Sequence, residues 1–160
     1  MHINISIAKQ TLTLFDHDGE LMAQFPVSTA ANGVGCEKDS GCTPLGAHVI
    51  RAKIGENAAP NTVFVARRAT GEIWSPALMI AHPKRDWILT RILWLSGKEI
   101  GKNRLGNVDT MQRYIYIHGT PDTTQMNVAG SHGCVRMHNN DIIQLFDWVS
   151  VNTTVQIDND

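Results

Sequence analysis

The chain has 160 residues, of which 42% are hydrophobic, 18% charged and 6% aromatic. That composition excludes disorder, collagen-like repeats and coiled coil, and the length fits one domain with a core of its own. Fourteen Lys and Arg against fifteen Asp and Glu leave a formal charge of −1, so the chain carries no electrostatic footprint for nucleic acid or for an anionic membrane.

The first residues, MHINISIAKQTLTLF, show no basic leader ahead of an apolar run and no small-residue cleavage site. They alternate instead, with Ile3, Ile5 and Ile7 on one face, which predicts a half-buried strand. Thr11–Phe15 alternates likewise, and Asp16-His17-Asp18-Gly19 is turn chemistry leading into a third strand, Leu21–Val27. Ala30–Pro44, with three glycines and no periodicity, predicts a loop. Strands are expected again at Gly46–Ile54 and Thr62–Arg67. Between Gly71 and Arg113 the pattern weakens: Trp87–Leu95 suits a buried strand or a short helix, and its β-branched residues tilt it toward strand. Tyr114–Ile117 predicts a strand that delivers His118-Gly119 at its end. Asn140–Ser150 predicts a helix, capped by Asn139 or Asn140, with an apolar stripe through Ile142, Leu145, Phe146 and Val149. Thr153–Ile157 closes the chain as a strand. The expectation is a single mainly-β domain with one packed helix.

Reactive side chains concentrate between Tyr114 and His138. Cys134 follows Gly133, with His132 two residues before it and Arg136 two residues after. A thiol attacks only as thiolate, and imidazole, guanidinium or backbone N–H groups nearby make the thiolate accessible. Gly133 permits a tight turn whose amides converge on a carbonyl oxygen as an oxyanion hole. His118, sixteen residues upstream, supplies a base if the two segments lie side by side. A lone cysteine is most often a small buried hydrophobe. A Ser-His-Gly-Cys-Val-Arg string is a poor fit to a core strand, and that context favours chemistry.

SHGCVRM at Ser131–Met137, preceded by HGT at His118–Thr120 and followed by the Asp141-led helix, resembles the YkuD-type L,D-transpeptidase catalytic domain of peptidoglycan enzymes. FPVSTA at Phe25–Ala30 and TPLGAHVI at Thr43–Ile50 are similar to earlier segments of that family. Ala30 departs from the more usual Gly, and Gly55–Arg113 matches only loosely. The resemblance implies a β-sandwich domain over residues 1–160. It also implies that Cys134 is the acylated nucleophile and His118 the general base, oriented by a backbone carbonyl, with Gly119 as the matching residue. His132, Gly133 and Cys134 would frame the oxyanion site, and Ser131 would shape the loop. Arg136 would hold that loop or meet a substrate carboxylate, with Thr120 beside the substrate. No cofactor and no metal are implied.

Family members attack the amide between the diamino acid at stem position three and D-alanine at position four, leaving a thioester. Water then gives an L,D-carboxypeptidase, and a stem amine gives a cross-link. The lack of a visible leader and the odd number of cysteines suit a reducing compartment. The expectation is therefore a cytoplasmic L,D-carboxypeptidase of murein recycling, acting on recycled or nucleotide-linked tetrapeptides; a trimmed N-terminus would make it periplasmic. The alternative is an L,D-transpeptidase, and carbapenem-type β-lactams are expected to acylate Cys134. A zinc site from His118, His132, Cys134 and His138 and a wall-binding module are the remaining readings. Cys36 and Cys42 are read as free thiols, and Trp74, Trp87 and Trp94 as core or rim. Among Arg67, Arg68, Lys84 and Arg85 no single cation stands out for stem carboxylates.

Overall fold

A computed structural model describes residues 1–160. In chain order the strands and helices are β1 (His2–Ser6), β2 (Thr11–Phe15), β3 (Leu21–Pro26), β4 (Gly46–Ile54), β5 (Thr62–Val65), β6 (Arg68–Ile73), α1 (Pro76–Ala81), β7 (Ile88–Gly97), β8 (Tyr116–Gly119), β9 (Val135–Met137), α2 (Asn139–Trp148) and β10 (Thr154–Asp158). The mainly-β expectation holds. All ten strands join one sheet, in the order β3-β2-β1-β10-β4-β7-β5-β6, with β8 and β9 branching from β7. No helix is long and apolar enough to cross a membrane.

Alternation in the first two strands does what its period demands. Ile3, Ile5, Leu12 and Leu14 point inward and are fully buried, and Asp16 Oδ1 accepts the Asp18 and Glu20 N–H groups at 2.9 Å each to close the turn. The C-terminal strand β10 runs parallel to β1, Ile3 facing Val155 and Ile5 facing Ile157, so the two ends of the chain share one ladder. The apolar stripe of α2, Ile142, Leu145 and Phe146, is buried in the same core cluster as these strands and as Leu93 and Ile117 of β7 and β8. Each such aliphatic side chain contributes about 1.5–3 kcal/mol by leaving water. Lys53 of β4 tops the end of α2, its Nζ donating to the carbonyls of Phe146 (2.6 Å) and Val149 (2.7 Å).

Several boundaries differ from expectation, each for a backbone reason. The strand at Thr62 ends at Val65 because Ala66 and Arg67 both take positive φ (47° and 64°) and turn the chain into β6, which the sequence did not announce. Tyr114 also has positive φ (58°), so β8 begins at Tyr116 and contains His118 and Gly119 rather than ending before them. Trp87–Leu95 resolves as strand. α1, not expected from the sequence, starts at a Ser75 cap that accepts the Leu78 N–H, with Pro76 in the first turn. The cap of α2 is His138, without a side-chain bond, because Asn139 turns inward to other partners.

β7 is bulged where it passes β8. Leu89 pairs with Gly119, and the next pair is Ile92 with His118, leaving Thr90 and Arg91 unmatched. Thr90 sits at φ 76°, a costly place for a β-branched residue. Its hydroxyl holds it there, accepting from Asn61 N at 3.0 Å and donating to Asn139 Oδ1 at 2.5 Å. Asn139 Nδ2 in turn donates to Asn61 Oδ1 and Asp122 Oδ1. This network lies directly behind Gly119. A Cβ there would come within 2.5 Å of Asn139 Oδ1 and 2.6 Å of the Leu89 carbonyl. Only glycine lets β8 pass so close.

Candidate active site

A parallel ladder brings Cys134 and His118 to one cleft. β8 pairs β9 with Ile117 opposite Val135 and His118 opposite Arg136, which sets Cys134 beside Tyr116 in the wall of a cleft of about 440 Å³. The Tyr116 N–H donates to Cys134 Sγ at 3.3 Å, and Sγ lies 3.4 Å from the Tyr114 carbonyl. The left-handed turn at Tyr114 aims that carbonyl at the sulfur.

Four groups fix the approach to Cys134. Gly133 takes φ 135°, where a side chain is disfavoured. Ser131, buried to 2% exposure, accepts from Gly133 N at 3.1 Å and donates to Cys134 O at 2.5 Å. Thr43 Oγ1 donates to Gly133 O at 2.9 Å and accepts from Ala30 N at 3.0 Å, so the T-P-L-G stretch clasps the loop from the other side. Arg136 Nη1 donates to Gly130 O at 3.0 Å while its Nη2 meets Asp86 Oδ1 at 3.3 Å. Arg136 is thus tied to the loop at Gly130.

The oxyanion expectation is narrowed by these bonds. The Gly133 N–H is engaged by Ser131 and unavailable to substrate. The Cys134 N–H donates to no protein group and stays open as a donor. His132 is exposed and leans toward Asp86, its Nδ1 3.7 Å from Oδ2.

His118 is buried to 1% exposure, and its Nδ1 donates to Gly119 O at 2.6 Å. A carbonyl can only accept, so Nδ1 carries the proton and Nε2 presents a lone pair. Burial lowers the His118 pKa from its ordinary value, partly opposed by the Gly119 carbonyl and by Asp86. The imidazole is neutral and basic at neutral pH. Burial also pushes the Cys134 thiol up to about 12, against the Tyr116 N–H and the charges of Arg136 and Arg113, which favour thiolate. Burial thus favours the uncharged form of both the thiol and the imidazole.

The remaining sequence candidates fall elsewhere. Thr120 is buried and bonds to Thr124 Oγ1 at 3.1 Å, outside the wall of the Cys134 cleft. The zinc reading finds no converging ligands. His118 Nδ1 is committed to a carbonyl, His138 precedes α2, and no group of three or more His, Cys, Asp or Glu side chains is placed to hold an ion. Cys36 and Cys42 are free. Trp87 is core, and Trp74 packs against that cluster. Sequence reasoning missed Asp86 and Arg113 because isolated charges carry no period. Arg113 donates to the Gly35 and Cys42 carbonyls and buttresses the loop under Gly133.

A thiol, an imidazole oriented by a backbone carbonyl and an open backbone donor thus belong to one cleft on a curled β-sheet. The family follows from the whole chain: residues 1–157 match the sequence model of the L,D-transpeptidase catalytic domain, and the chain belongs to this YkuD family. Solved structures share the fold at low identity. The L,D-transpeptidase of Xylanimonas cellulosilytica is 17% identical (TM-score 0.54, covering 98% of this chain and 59% of that one). That of Mycobacterium smegmatis is 20% identical (0.54, 98% and 57%). L,D-transpeptidase 3 of Mycobacterium tuberculosis, solved with a faropenem-derived adduct, is 14% identical (0.59, 98% and 59%). The chain thus spans less than two thirds of these solved chains. No curated protein matches it.

Proposed function

We propose that the protein is a cysteine L,D-carboxypeptidase that removes the terminal D-alanine from murein tetrapeptides, in the recycling of peptidoglycan. The observation that carries the chemistry is that Cys134 and His118 line one cleft, with the His118 tautomer fixed by Gly119 O. Nε2 of His118 takes the thiol proton as Sγ attacks the carbonyl carbon of the diamino acid. The Cys134 N–H meets the developing oxyanion. As the C–N bond breaks, the imidazolium returns the proton to the leaving amine, and D-alanine departs. Water, deprotonated by the same Nε2, then cleaves the thioester and restores the thiol. Tetrapeptide and water yield tripeptide and D-alanine. Three free thiols support a reducing compartment, and with it recycled or nucleotide-linked tetrapeptides as substrates.

A second reading, transfer of the acyl group to an amine, is supported by another recess of about 400 Å³ beside the first. The two share Arg113, Tyr114, Ile115 and His132. A solved L,D-transpeptidase in complex with the carbapenem imipenem, together with the faropenem-derived adduct of the mycobacterial enzyme, supports acylation of Cys134 by carbapenem-type β-lactams.

Mass spectrometry of a meso-diaminopimelate tetrapeptide incubated with the protein decides between these. Tripeptide as the sole product, absent with Cys134→Ala, is the expected outcome. Dimers or amine-exchanged peptides would replace it with the transpeptidase, and no turnover would sink both.

A further inference from the structure

Three guanidinium groups line the Cys134 cleft, and their partners separate them. Arg113 is bound to loop carbonyls, and Arg136 to Gly130 O and Asp86. Arg67 has one hydrogen bond, from Nη1 to the Tyr116 hydroxyl at 2.9 Å, and meets no carboxylate or carbonyl. Its guanidinium is instead held by aromatic faces, 4.6 Å from the Trp94 ring centroid and 4.8 Å from that of Tyr114. Such stacking fixes a planar cation while leaving the edge of the fork open.

The backbone delivers Arg67 there at some cost. Ala66 and Arg67 form the two-residue turn between β5 and β6 with both φ positive, in places that Asn and Gly ordinarily occupy. Strain of this kind at a cleft points to a positioned group. Asp86, the only carboxylate lining the cleft, is engaged by Arg136, with His132 beside it. A cation poised on aromatic faces, with its remaining donors free, matches an incoming carboxylate, and a bidentate one best.

We propose that Arg67 is the receptor for a carboxylate of the substrate, and so a specificity-determining residue of this site. The assignment rests on the stem-peptide reading above, in which two carboxylates are candidates: the C-terminus of D-alanine and the side-chain carboxylate of the diamino acid. Both present the same chemistry.

Binding separates this from turnover. Calorimetry on the Cys134→Ala protein would compare three peptides: the meso-diaminopimelate tetrapeptide, its C-terminal amide, and the tetrapeptide with lysine at position three. Arg67→Ala is expected to weaken the parent peptide by about tenfold to a hundredfold, the range for a charged hydrogen bond. Arg67→Lys, which keeps the charge but not the fork, should fall between. The one peptide lacking the carboxylate that Arg67 reads should already bind weakly and be indifferent to Arg67→Ala. That peptide names the source. Equal weakening of all three peptides, or none, overturns the proposal. If none of the three binds while Cys134-intact protein still releases D-alanine, KM on the Cys134-intact protein replaces calorimetry, and a KM unchanged by Arg67→Ala overturns the Arg67 assignment alone. Absence of both binding and release removes the stem-peptide reading and this assignment with it.

Discussion

Gly119→Ala tests whether the passage of β8 over the Thr90–Asn139 network sets the catalytic geometry. The new methyl would lie 2.5 Å from Asn139 Oδ1, 2.6 Å from the Leu89 carbonyl and 3.1 Å from Thr90 Cβ. Asn139 is buried and triply bonded, and Leu89 O is backbone of the neighbouring strand, so neither yields as a flexible side-chain end would. Relief requires β8 to lift by about 0.4 Å or more from Leu89, given that real contacts stay above 3.0 Å. Overpacking of this kind costs about 1–3 kcal/mol, or about 3–10 °C in Tm for a domain of this size. The same lift displaces the carbonyl that orients His118, so kcat for D-alanine release should fall by about tenfold to a hundredfold. Gly71→Ala is the control. Gly71 has φ 89° with open space around it, so it loses about 1–2 kcal/mol to backbone strain alone and keeps its kcat. Thermal melts and single-substrate kinetics on both variants are sufficient. A Gly119→Ala protein that melts and turns over like the parent would refute the argument.

Two further outcomes follow from burial. With its thiol pushed up to about 12, Cys134 should react with iodoacetamide more slowly at pH 7 than a free thiol of pKa about 8.5, and its rate should climb through pH 9 without a plateau. A plateau near neutrality, absent in Cys134→Ala, would show a stable thiolate instead. His48 is fully buried between Gly46 O and Thr110 Oγ1, and burial lowers its pKa to about 4. Its folded pKa lies below the ordinary 6.5, so the unfolded chain binds the extra proton between those values, and stability is complete above pH 6.5 and lost as pH falls toward 4. The loss attributable to His48 is about 3 kcal/mol. Urea titrations at pH 7 and pH 4 on parent and His48→Gln protein measure it, and an undiminished pH dependence in the variant would contradict the assignment.

Most of the strands, the C-terminal helix and the reactive string around His118 and Cys134 were legible because they rest on local rules. A period of two reads out β1, β2 and β4, an apolar stripe reads out α2, and His118-Gly119 with Ser131–Arg136 is a compact string. Arg67, Asp86 and Arg113 gave no such signal, since single charges become a site only by where the chain places them. Three decisions belonged to the tertiary structure alone. The three-residue β9 is too short to show a period, yet its parallel register with β8 is what brings Cys134 to Tyr116 and His118 to Arg136. The positive φ of Tyr114 and Thr90, in residues that avoid it, is held by contacts made far along the chain, at Cys134 in one case and at Asn61 and Asn139 in the other. The packing that requires residue 119 to be a glycine was likewise invisible beforehand, because it involves a carbonyl thirty residues earlier in β7. Sequence determined which groups are able to react and on what kind of scaffold. Long-range pairing, which no local period encodes, decided which of them meet.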